Sequence, residues 1–424
     1  MGKNNSILFQ YMSEDESISP FYQLNSQKRD PILRVLVKNY TLQSQIWPKN
    51  SHHSRVWQHT LVIYHPDVVH STKALLFVNG GTRYPYPGKE SSYPQELNFS
   101  RIATETQSIV IDLQDVPNQY LILEDMVARK GDRLFAYSWN CYMDNPIENA
   151  YRLLSLPMTK AVIKAMDAVS QIMQETYIQI EHFVVAGISK RGLATWLAAL
   201  ADKRICAIVP IVIDILNTKK TMQHIYASYN NHWPPAFFDF IQEKILDRFD
   251  TKEFEKLTEI EDPLTYLEND FIPTYIISAS GDDFFVPDGL SLYWDKLPKE
   301  TKLRFVPNQG HFINMKIVED ALFSYYGTIL KSTLIPSIQW KVNEEGIIDC
   351  LSFSKQPLFV KFWQAENPQT RDFRLTANIA YTTVTEITLP KKGWKAYFIE
   401  VGFENNFILT TLAYVISAKD AKVK

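Results

Sequence analysis

The sequence has few cysteines and no pattern typical of a metal site. There are three cysteines in 424 residues, Cys141, Cys206 and Cys350. They define no disulfide framework and show no C-x-x-C spacing, so they leave the redox compartment open. His52, His53 and His59 have no cluster of cysteines or carboxylates beside them. We therefore expect solvent-facing or core histidines here, and neither a metal ion nor a cofactor.

Strong net charge and long hydrophobic runs are also missing. A net charge of -3 gives no electrostatic case for a nucleic-acid partner. No apolar run approaches the ~20 residues that a membrane span requires. The hydrophobic fraction of 46% and the many aromatic residues instead indicate well-packed globular cores. The length predicts two domains.

The first six residues lack the apolar segment of a secretory signal peptide. We expect a cytoplasmic protein, or a secreted or periplasmic one if the sequence begins after a removed signal. The residues leave this choice open, and they do not indicate the oligomeric state.

One serine lies where a strand pattern changes abruptly to a helix pattern. Residues 184–192 read VVAGISKRG, and a helical pattern follows over 193–201. A sharp turn of this kind exposes a serine hydroxyl above the sheet and directs backbone N–H groups of the new helix toward it. The usual pattern is G-x-S-x-G, whereas here Arg191 occupies the second glycine position and Gly192 follows. Ser189 is therefore a candidate nucleophile, and an ordinary turn with a serine cap is the alternative.

Two further strand patterns end in candidate catalytic residues. Residues 272–280 lead into a loop with Asp282 and Asp283, and residues 303–306 lead into a loop with His311. The order Ser, Asp, His along the chain is that of α/β-hydrolases. In such a triad the histidine takes the serine proton, and the carboxylate orients the imidazole. We assign Ser189 as nucleophile, His311 as base and Asp282 as acid, although the local pattern does not separate Asp282 from Asp283.

An oxyanion hole needs a second N–H donor from the loop after an earlier strand. The strand pattern at 74–78 is followed by Asn79-Gly80-Gly81-Thr82, where two glycines permit close backbone approach. We predict the Gly81 N–H and the Lys190 N–H as the two donors. A plain glycine turn is the alternative at Gly81.

The rest of the chain predicts an α/β fold with a mostly parallel, doubly wound sheet. A strand is expected at 32–37 or 40–47, and the clearest helix lies between 154 and 177, with Pro157 in its first turn. Further strand patterns lie at 61–64, 74–78, 108–113, 134–139 and 207–213. Asp214 follows the last of these, and we expect a turn role for it; a position at the border of the site is the alternative. Alternating strands and helices favour this fold class.

Residues 215–270 interrupt the alternation with many aromatic residues followed by a charged stretch. We interpret them as a lid-like insertion whose aromatic wall shapes the substrate, with Trp233 in that wall; helices that pack on the sheet are the alternative. Arg191 beside the serine and Phe284 beside the acid are further candidate substrate-binding residues.

After about residue 330 the sequence changes to short strand patterns separated by turns. They lie at 358–363, 382–389, 396–403 and 410–416. Regular short strands of this kind predict a small β-sandwich. We expect it to brace the catalytic domain, and binding of a partner, a cell surface or a carbohydrate is the alternative. The domain prediction is therefore a catalytic domain over 1–330 and an accessory domain over 331–424.

The chain resembles the PhoPQ-activated pathogenicity-related (PqaA-type) proteins, which are close to the autocrine proliferation repressor proteins. The matching segments lie at 44–48, 57–59, 77–81, 156–161, 164–167, 187–192, 212–214, 216–217, 281–288, 306–308, 362–365, 371–374 and 393–396. The S-K-R-G form at 189–192 is this family's own variant of the serine turn.

The resemblance implies an α/β-hydrolase domain with a C-terminal β-sandwich-like domain, and a serine hydrolase with Ser189, Asp282 and His311 as its triad. The expected function is cleavage of an ester or amide bond in a small-molecule or peptide substrate. The alternative is a non-catalytic binding, signalling or virulence-associated protein on a hydrolase scaffold. The sequence does not separate an esterase from a peptidase.

Overall fold

The computed structural model describes residues 6–14, 18, 21–268 and 271–418. The chain forms two compact units. The first consists of Met1–Pro210 and Asp239–Leu267, and the second of Ile211–Phe238 and Glu268–Lys424. Among the described residues, no helix combines the length and the hydrophobicity of a bilayer span.

The first unit is built on a sheet. Its strands are β1 Tyr22–Asp30, β2 Val35–Trp47, β3 Arg55–Pro66, β4 Lys73–Val78, β5 Val110–Leu113, β6 Leu121–Ile122, β7 Ala128–Arg129, β8 His182–Ile188 and β9 Ile205–Ile211, whose last residue belongs to the second unit. Seven of these are hydrogen-bonded in the order β1-β2-β3-β5-β4-β8-β9, while β6 and β7 form a separate antiparallel pair. The pairs β5-β4 and β4-β8 are parallel, whereas β1-β2, β2-β3 and β3-β5 are antiparallel.

Helices cover the faces of this sheet. They are α1 Ile7–Ser13, α2 Phe99–Thr106, α3 Gly131–Asp144, α4 Ser155–Gln174, α5 Lys190–Ala201, α7 Phe238–Gln242 and α8 Lys252–Glu261, with short 3₁₀ helices at Ala150–Arg152, Ile245–Asp247 and Pro263–Thr265. The first residue of α7, Phe238, belongs to the second unit. The helix predicted between 154 and 177 is α4, and Pro157 lies in its first turn.

The strand predicted at 134–139 is wrong, because these residues lie inside α3. The buried positions of α3 are Ala136 and three pairs, Leu134 with Phe135, Ser138 with Trp139, and Tyr142 with Met143. The pairs recur every four residues, which is close to the period of one helix face. A window of six residues is too short to distinguish that period from a buried strand.

The N-terminal strand prediction was incomplete. One long strand, β2, covers all of 40–47 and the second half of 32–37, and β1 precedes it. β1 has the polar sequence YQLNSQKRD and is exposed along most of its length. It therefore carries little of the alternating apolar signal that identifies strands.

The second unit contains a parallel strand pair and two small antiparallel sheets. Its strands are β10 Thr274–Ala279, β11 Thr301–Val306, β12 Ile338–Val342, β13 Ile348–Phe353, β14 Phe359–Asn367, β15 Thr382–Val384, β16 Trp394–Gly402, β17 Ile408–Thr410 and β18 Tyr414–Ser417. β10 and β11 are parallel, β12 pairs with β13, and β16 lies among β14, β17 and β18. Its helices are α6 Thr218–Ser228 and α9 Met315–Leu330, with 3₁₀ helices at Pro235–Phe237, Gly289–Leu292, Trp294–Lys296, Leu375–Ala377 and Glu404–Asn406.

The C-terminal strands share a hydrophobic core with β11. Phe305 of β11 packs against Phe398 of β16 with ring centroids 5.0 Å apart, and both belong to one buried cluster with Phe373 and Tyr381. Phe305 N–H also donates a hydrogen bond to Thr410 Oγ1 at 2.9 Å. The strands after residue 330 are therefore packed against a strand that leads into the predicted histidine loop.

Candidate active site

Ser189 lies at the turn between β8 and α5. Its backbone has φ 57° and ψ -129°, a strained conformation for a residue with a side chain, and its side chain does not cap α5. A Cβ at Gly187 would lie 2.6 Å from the Arg191 carbonyl oxygen and 2.9 Å from Thr195 Oγ1. The close approach of helix to strand therefore requires glycine at 187. A positive φ at a sharp strand-to-helix turn is the backbone geometry that a nucleophile elbow requires, so Ser189 stays the candidate nucleophile.

The 79–82 loop leaves the sheet at the same edge as this turn. β4 and β8 are parallel neighbours, and Val78 pairs with Gly187, so both strands end side by side. Gly81 has φ 145°, and a Cβ there would overlap the carboxylate of Asp115. A glycine is thus needed at 81 for both reasons.

The buried Asn79 side chain holds this loop in shape. Its Oδ1 accepts hydrogen bonds from Gly80 N at 2.8 Å and Gln95 N at 2.7 Å. Its Nδ2 donates to Asp112 Oδ1 at 2.8 Å and to the Gln95 carbonyl at 3.0 Å. Burial raises the pKa of Asp112 to about 7, against the hydrogen bonds from Gln114 and Asn79 that lower it. The motif search singled out the glycines of this loop and missed Asn79, which directly precedes them.

Arg191 contacts the same loop. Its Nε donates to the Val116 carbonyl at 2.6 Å, and a Cβ at Gly80 would lie 2.6 Å from its Nη2. Burial lowers the pKa of the Arg191 guanidinium to about 10. These contacts connect the serine turn with the 79–82 loop, which explains an arginine where most hydrolases have glycine.

Lys190, the neighbour of the serine, is paired with an acidic residue on α3. Its Nζ lies 3.0 Å from Asp132 Oδ1, and its side chain is only 12% exposed. Burial raises the pKa of Asp239 on α7, and the nearby charge of Asp132 raises it further. The Lys190 side chain is therefore engaged within the first unit, while its backbone N–H is the one predicted for the oxyanion hole.

In the second unit, His311 and Asp282 form a buried pair. His311 Nδ1 lies 3.0 Å from Asp282 Oδ2 and 3.2 Å from Oδ1. The two residues are 9% and 3% exposed. Asp282 Oδ1 also accepts from the backbone N–H of Phe284 at 2.8 Å, so the carboxylate is oriented by its own loop. Asp283 instead accepts from Thr376 Oγ1 at 3.3 Å.

Aromatic side chains surround the His311 ring. Phe284 lies 4.5 Å from it between ring centroids and 5.5 Å from Phe237. Phe237 in turn lies 5.5 Å from Trp233. The candidate substrate-binding residues Phe284 and Trp233 therefore belong to one aromatic cluster of the second unit.

The C-terminal segment after β14 contacts both the acid and the histidine loop. Leu375 N–H donates to the Gly281 carbonyl at 3.1 Å, and a Cβ at Gly281 would lie 2.8 Å from Leu375 Cγ. A Cβ at Gly310 would lie 3.3 Å from Leu375 Cδ1. Asn308 and Tyr381 exchange two hydrogen bonds of 2.9 and 2.7 Å. Sequence reasoning missed Leu375, and the matching segment 371–374 beside it is the signal that could have found it.

Asp214, for which a turn role was expected, is a buried carboxylate of the second unit. Tyr293 donates its hydroxyl proton to Asp214 Oδ1. Burial raises the pKa of Asp214 to about 7, and the negative charges of Asp282 and Asp288 contribute. Arg371 pairs with Asp288, which also lies 3.1 Å from His224 Nε2.

No described group of three or more His, Cys, Asp or Glu side chains is arranged to hold a metal ion. His59 lies in the core, with Nε2 2.9 Å from Ser44 Oγ and Nδ1 3.1 Å from the Asp115 carbonyl. Burial lowers its pKa to about 4. It is a core histidine, one of the two environments expected.

Comparison with known proteins identifies the family of this chain. A model of the PhoPQ-activated pathogenicity-related protein family matches residues 8–374. The chain belongs to this family. A relative, autocrine proliferation repressor protein A from Dictyostelium discoideum, is 32% identical over 409 residues, which cover 85% of this chain and 79% of that protein.

Solved structures of low identity have a similar chain path. Acetyl xylan esterase 1 from Thermoanaerobacterium sp. JW/SL YS485 is 14% identical with a TM-score of 0.49, over 76% of this chain and 92% of that one. Pyrococcus horikoshii acylaminoacyl peptidase is 12% identical with a TM-score of 0.43, over 76% and 51%. The fold of this family member is α/β, with two small antiparallel sheets near the C-terminus.

Proposed function

We propose that this protein is a serine hydrolase that cleaves an ester or amide bond through an acyl-enzyme. Ser189 is the nucleophile, His311 the general base and acid, and Asp282 the orienting carboxylate. The observation that carries the proposal is the strained backbone of Ser189 at the turn between β8 and α5, where the Ser189 side chain does not cap the helix. The buried His311–Asp282 pair supports it from the second unit.

In the proposed reaction, the His311 imidazole takes the Ser189 proton as the serine oxygen attacks the substrate carbonyl. The Gly81 and Lys190 N–H groups stabilise the negative charge that develops on the carbonyl oxygen. The imidazolium then gives its proton to the leaving group. Water, activated by the same histidine, hydrolyses the acyl-enzyme. Asp282 keeps the Nδ1–H of His311 oriented in both halves of the reaction.

The aromatic cluster favours a small-molecule or peptide substrate with an apolar group. Phe284 and Trp233, joined through Phe237, are proposed to contact that group. Arg191 stays a candidate substrate contact, although its bond to Val116 favours a role in holding the 79–82 loop.

The domain organisation proposed with this function has a catalytic domain over 1–330, an insertion over 215–270 that covers the site, and an accessory domain over 331–424. The contacts of Leu375 with Gly281 and Gly310 favour a role for residues 331–424 in positioning Asp282 and His311.

Turnover of a defined substrate panel tests the proposal. The panel consists of p-nitrophenyl esters of increasing acyl length and aminoacyl p-nitroanilides. We expect the wild type to cleave at least one class, and Ser189→Ala to lower turnover by a factor on the order of 10⁴ or more. The matched control is Ser291→Ala, at an exposed serine of the second unit, which should keep full activity. Equal turnover by Ser189→Ala and wild type would exclude Ser189 as the nucleophile.

A second candidate function is favoured by the name of the Dictyostelium relative, an autocrine proliferation repressor. In this alternative the chain is a non-catalytic binding, signalling or virulence-associated protein on a hydrolase scaffold. Folded wild-type protein that turns over no member of the panel would favour it.

A further inference from the structure

A cleft that the proposed hydrolase reaction does not use lies beside the β12–β13 hairpin of the second unit. Two adjoining cavities of about 400 and 530 Å³ share four lining residues, Trp294, Ile338, Gln339 and Trp340. Cavities of this size commonly hold small organic ligands. The shared residues make the two cavities parts of one cleft.

Half-buried indole rings form one wall of the cleft. The ring centroids of Trp294 and Trp340 are 6.2 Å apart, and the ring planes are inclined by 41°. Trp340 Nε1 donates to Tyr414 Oη at 2.7 Å, and Tyr414 lines the larger cavity. The orientation of Trp340 is therefore fixed by a hydrogen bond at its edge, which leaves the ring face available for contact with a ligand.

The wall is supported from behind by a buried tyrosine. Tyr397 is fully buried and stacks on Tyr414 with centroids 5.5 Å apart. Its hydroxyl donates to the Gly346 carbonyl at 2.6 Å and accepts from Ile348 N at 3.1 Å. These bonds hold the β12–β13 turn. A wall that is already fixed loses little conformational entropy when a ligand binds.

Uncharged polar side chains lie around the rings. They include Gln339, Ser352, Ser354 and Thr301. Thr301 is 7% exposed, and its buried hydroxyl has no hydrogen-bond partner among the described residues. A buried hydroxyl without a partner is rare in folded proteins. Its place in the lining of the smaller cavity is consistent with a ligand that supplies the missing hydrogen bond.

The charges in the lining nearly balance. The charged residues are Lys299, Glu300 and Lys302 in the smaller cavity, and Asp295 and Lys341 in the larger. Lys302 and Glu300 are also paired at 3.4 Å. A site for a polyanion would need a clear excess of cations. Both donors and acceptors are available, which suits a neutral ligand with many hydroxyl groups.

We propose that this cleft binds a neutral carbohydrate. The C–H face of a pyranose ring lies on the indole faces of Trp294 and Trp340, and its hydroxyl groups bond to the polar lining. A proline-rich peptide also uses aromatic grooves, but its apolar rings would leave the surrounding donors and acceptors unpaired. The observations therefore favour a glycan.

Affinity electrophoresis in native gels tests this proposal on the full chain. The gels contain hydroxyethylcellulose, neutral arabinoxylan or galactomannan. We expect at least one to retard the wild type, and Trp340→Ala to weaken binding by about tenfold or more, as for other aromatic anchors. Tyr177→Ala, at a 99% exposed aromatic residue of the first unit, is the matched control and should bind as the wild type does. No retardation in any gel, or equal retardation of Trp340→Ala, would overturn the proposal.

A chemical probe on the wild type gives a second readout that does not depend on a variant. Cys350 is exposed and lines the larger cavity. Burial raises the pKa of Cys141 to about 11 and raises that of Cys206, so we expect iodoacetamide to alkylate Cys350 first. Oligosaccharide fragments of the retarding polymer should slow this alkylation. Protection by a proline-rich peptide but by no oligosaccharide would contradict the glycan assignment.

Failure of this proposal can be distinguished from failure of the hydrolase proposal. Trp340→Ala should keep wild-type turnover of a soluble ester, whereas Ser189→Ala should keep wild-type glycan retardation. Loss of glycan retardation in Ser189→Ala would place the carbohydrate elsewhere and contradict the assignment.

Discussion

The structure holds its candidate catalytic residues in two different ways. The nucleophile region comprises residues 79–82 and 187–192 of the first unit, and the acid–base region comprises residues 281–288 and 308–311 of the second. The first is shaped by the ends of neighbouring parallel strands and by Asn79, Arg191 and Gly187 within it. The second is held by Leu375 and Tyr381, which lie more distant in sequence.

The two regions therefore depend on different parts of the sequence. In the nucleophile region, glycines at close backbone contacts and the buried Asn79 amide define the shape of the loop. The sequence pattern that predicts this region therefore lies within short motifs. The acid–base region needs a segment that the chain supplies only after β14. Substitutions near the serine should therefore act on the oxyanion hole, and substitutions in the C-terminal segment on the histidine.

The largest expected effect distinguishes two adjacent carboxylates of the acid–base region. Asp282→Asn should lower turnover by a factor on the order of 10⁴, because an amide favours the wrong imidazole tautomer. Asp283→Asn should have far less effect, since Asp283 accepts a hydrogen bond from Thr376, whereas Asp282 lies 3.0 Å from His311 Nδ1. Steady-state turnover of the best substrate in the panel measures both. The reverse ranking would assign the acid role to Asp283.

The next effect concerns the nucleophile region alone. Gly81→Ala should lower turnover by a factor on the order of 10² to 10³, the usual loss of one oxyanion donor. The cause is the positive φ of Gly81 and the overlap of a Cβ with Asp115. Gly88→Ala is the control, because Gly88 also has a positive φ but has open space around its Cβ position. If both variants lost activity equally, displacement of the 79–82 loop would not explain the loss of turnover in Gly81→Ala.

A smaller effect is expected from the segment that holds the acid–base region. Leu375→Ala should lower turnover about tenfold, because Gly281 and Gly310 lose the side chain that packs against both of their loops. The change should appear in kcat more than in KM. Leu358→Ala, at an exposed leucine of the same unit, should retain the wild-type kcat. Wild-type turnover by Leu375→Ala would show that the Leu375 side chain does not support the acid–base region.

A last effect, on stability and not on turnover, concerns Asp214. Its pKa is about 7 in the folded protein and near 3.8 when unfolded, so between these values the folded state keeps a proton that the unfolded state releases. The free energy of unfolding should then fall as the pH rises from about 4 to 7, by at most ~1.4 kcal/mol per pH unit for this group. Asp214→Asn should reduce that slope in urea titrations, and Asp283→Asn should not. Equal slopes in wild type and Asp214→Asn would contradict the assignment.

Local sequence patterns predict those parts of the fold and of the candidate site that are encoded by neighbouring residues. The turn at Ser189, the helix α4 and the α/β fold class follow from local periodicity and from strand-to-helix changes. The family resemblance is confirmed by the match over residues 8–374. These features depend on residues that lie close together along the chain.

The features that were missed depend on longer windows or on distant contacts. Residues 134–139 were interpreted as a strand because the period of α3 emerges only when Tyr142 and Met143 are included. β1 was missed because its side chains are mostly exposed and polar. The contact of Leu375 with Gly281 joins positions far apart in sequence, and neither strand nor helix periodicity encodes it.

The most direct test of the central claim is reaction of the protein with a fluorophosphonate probe, followed by mass spectrometry of the labelled peptide. The account predicts one adduct, on Ser189, which disappears in Ser189→Ala and forms much more slowly in Asp282→Asn. Folded wild-type protein that remains unlabelled, or an adduct on another serine, would contradict the claim that Ser189 is an activated nucleophile.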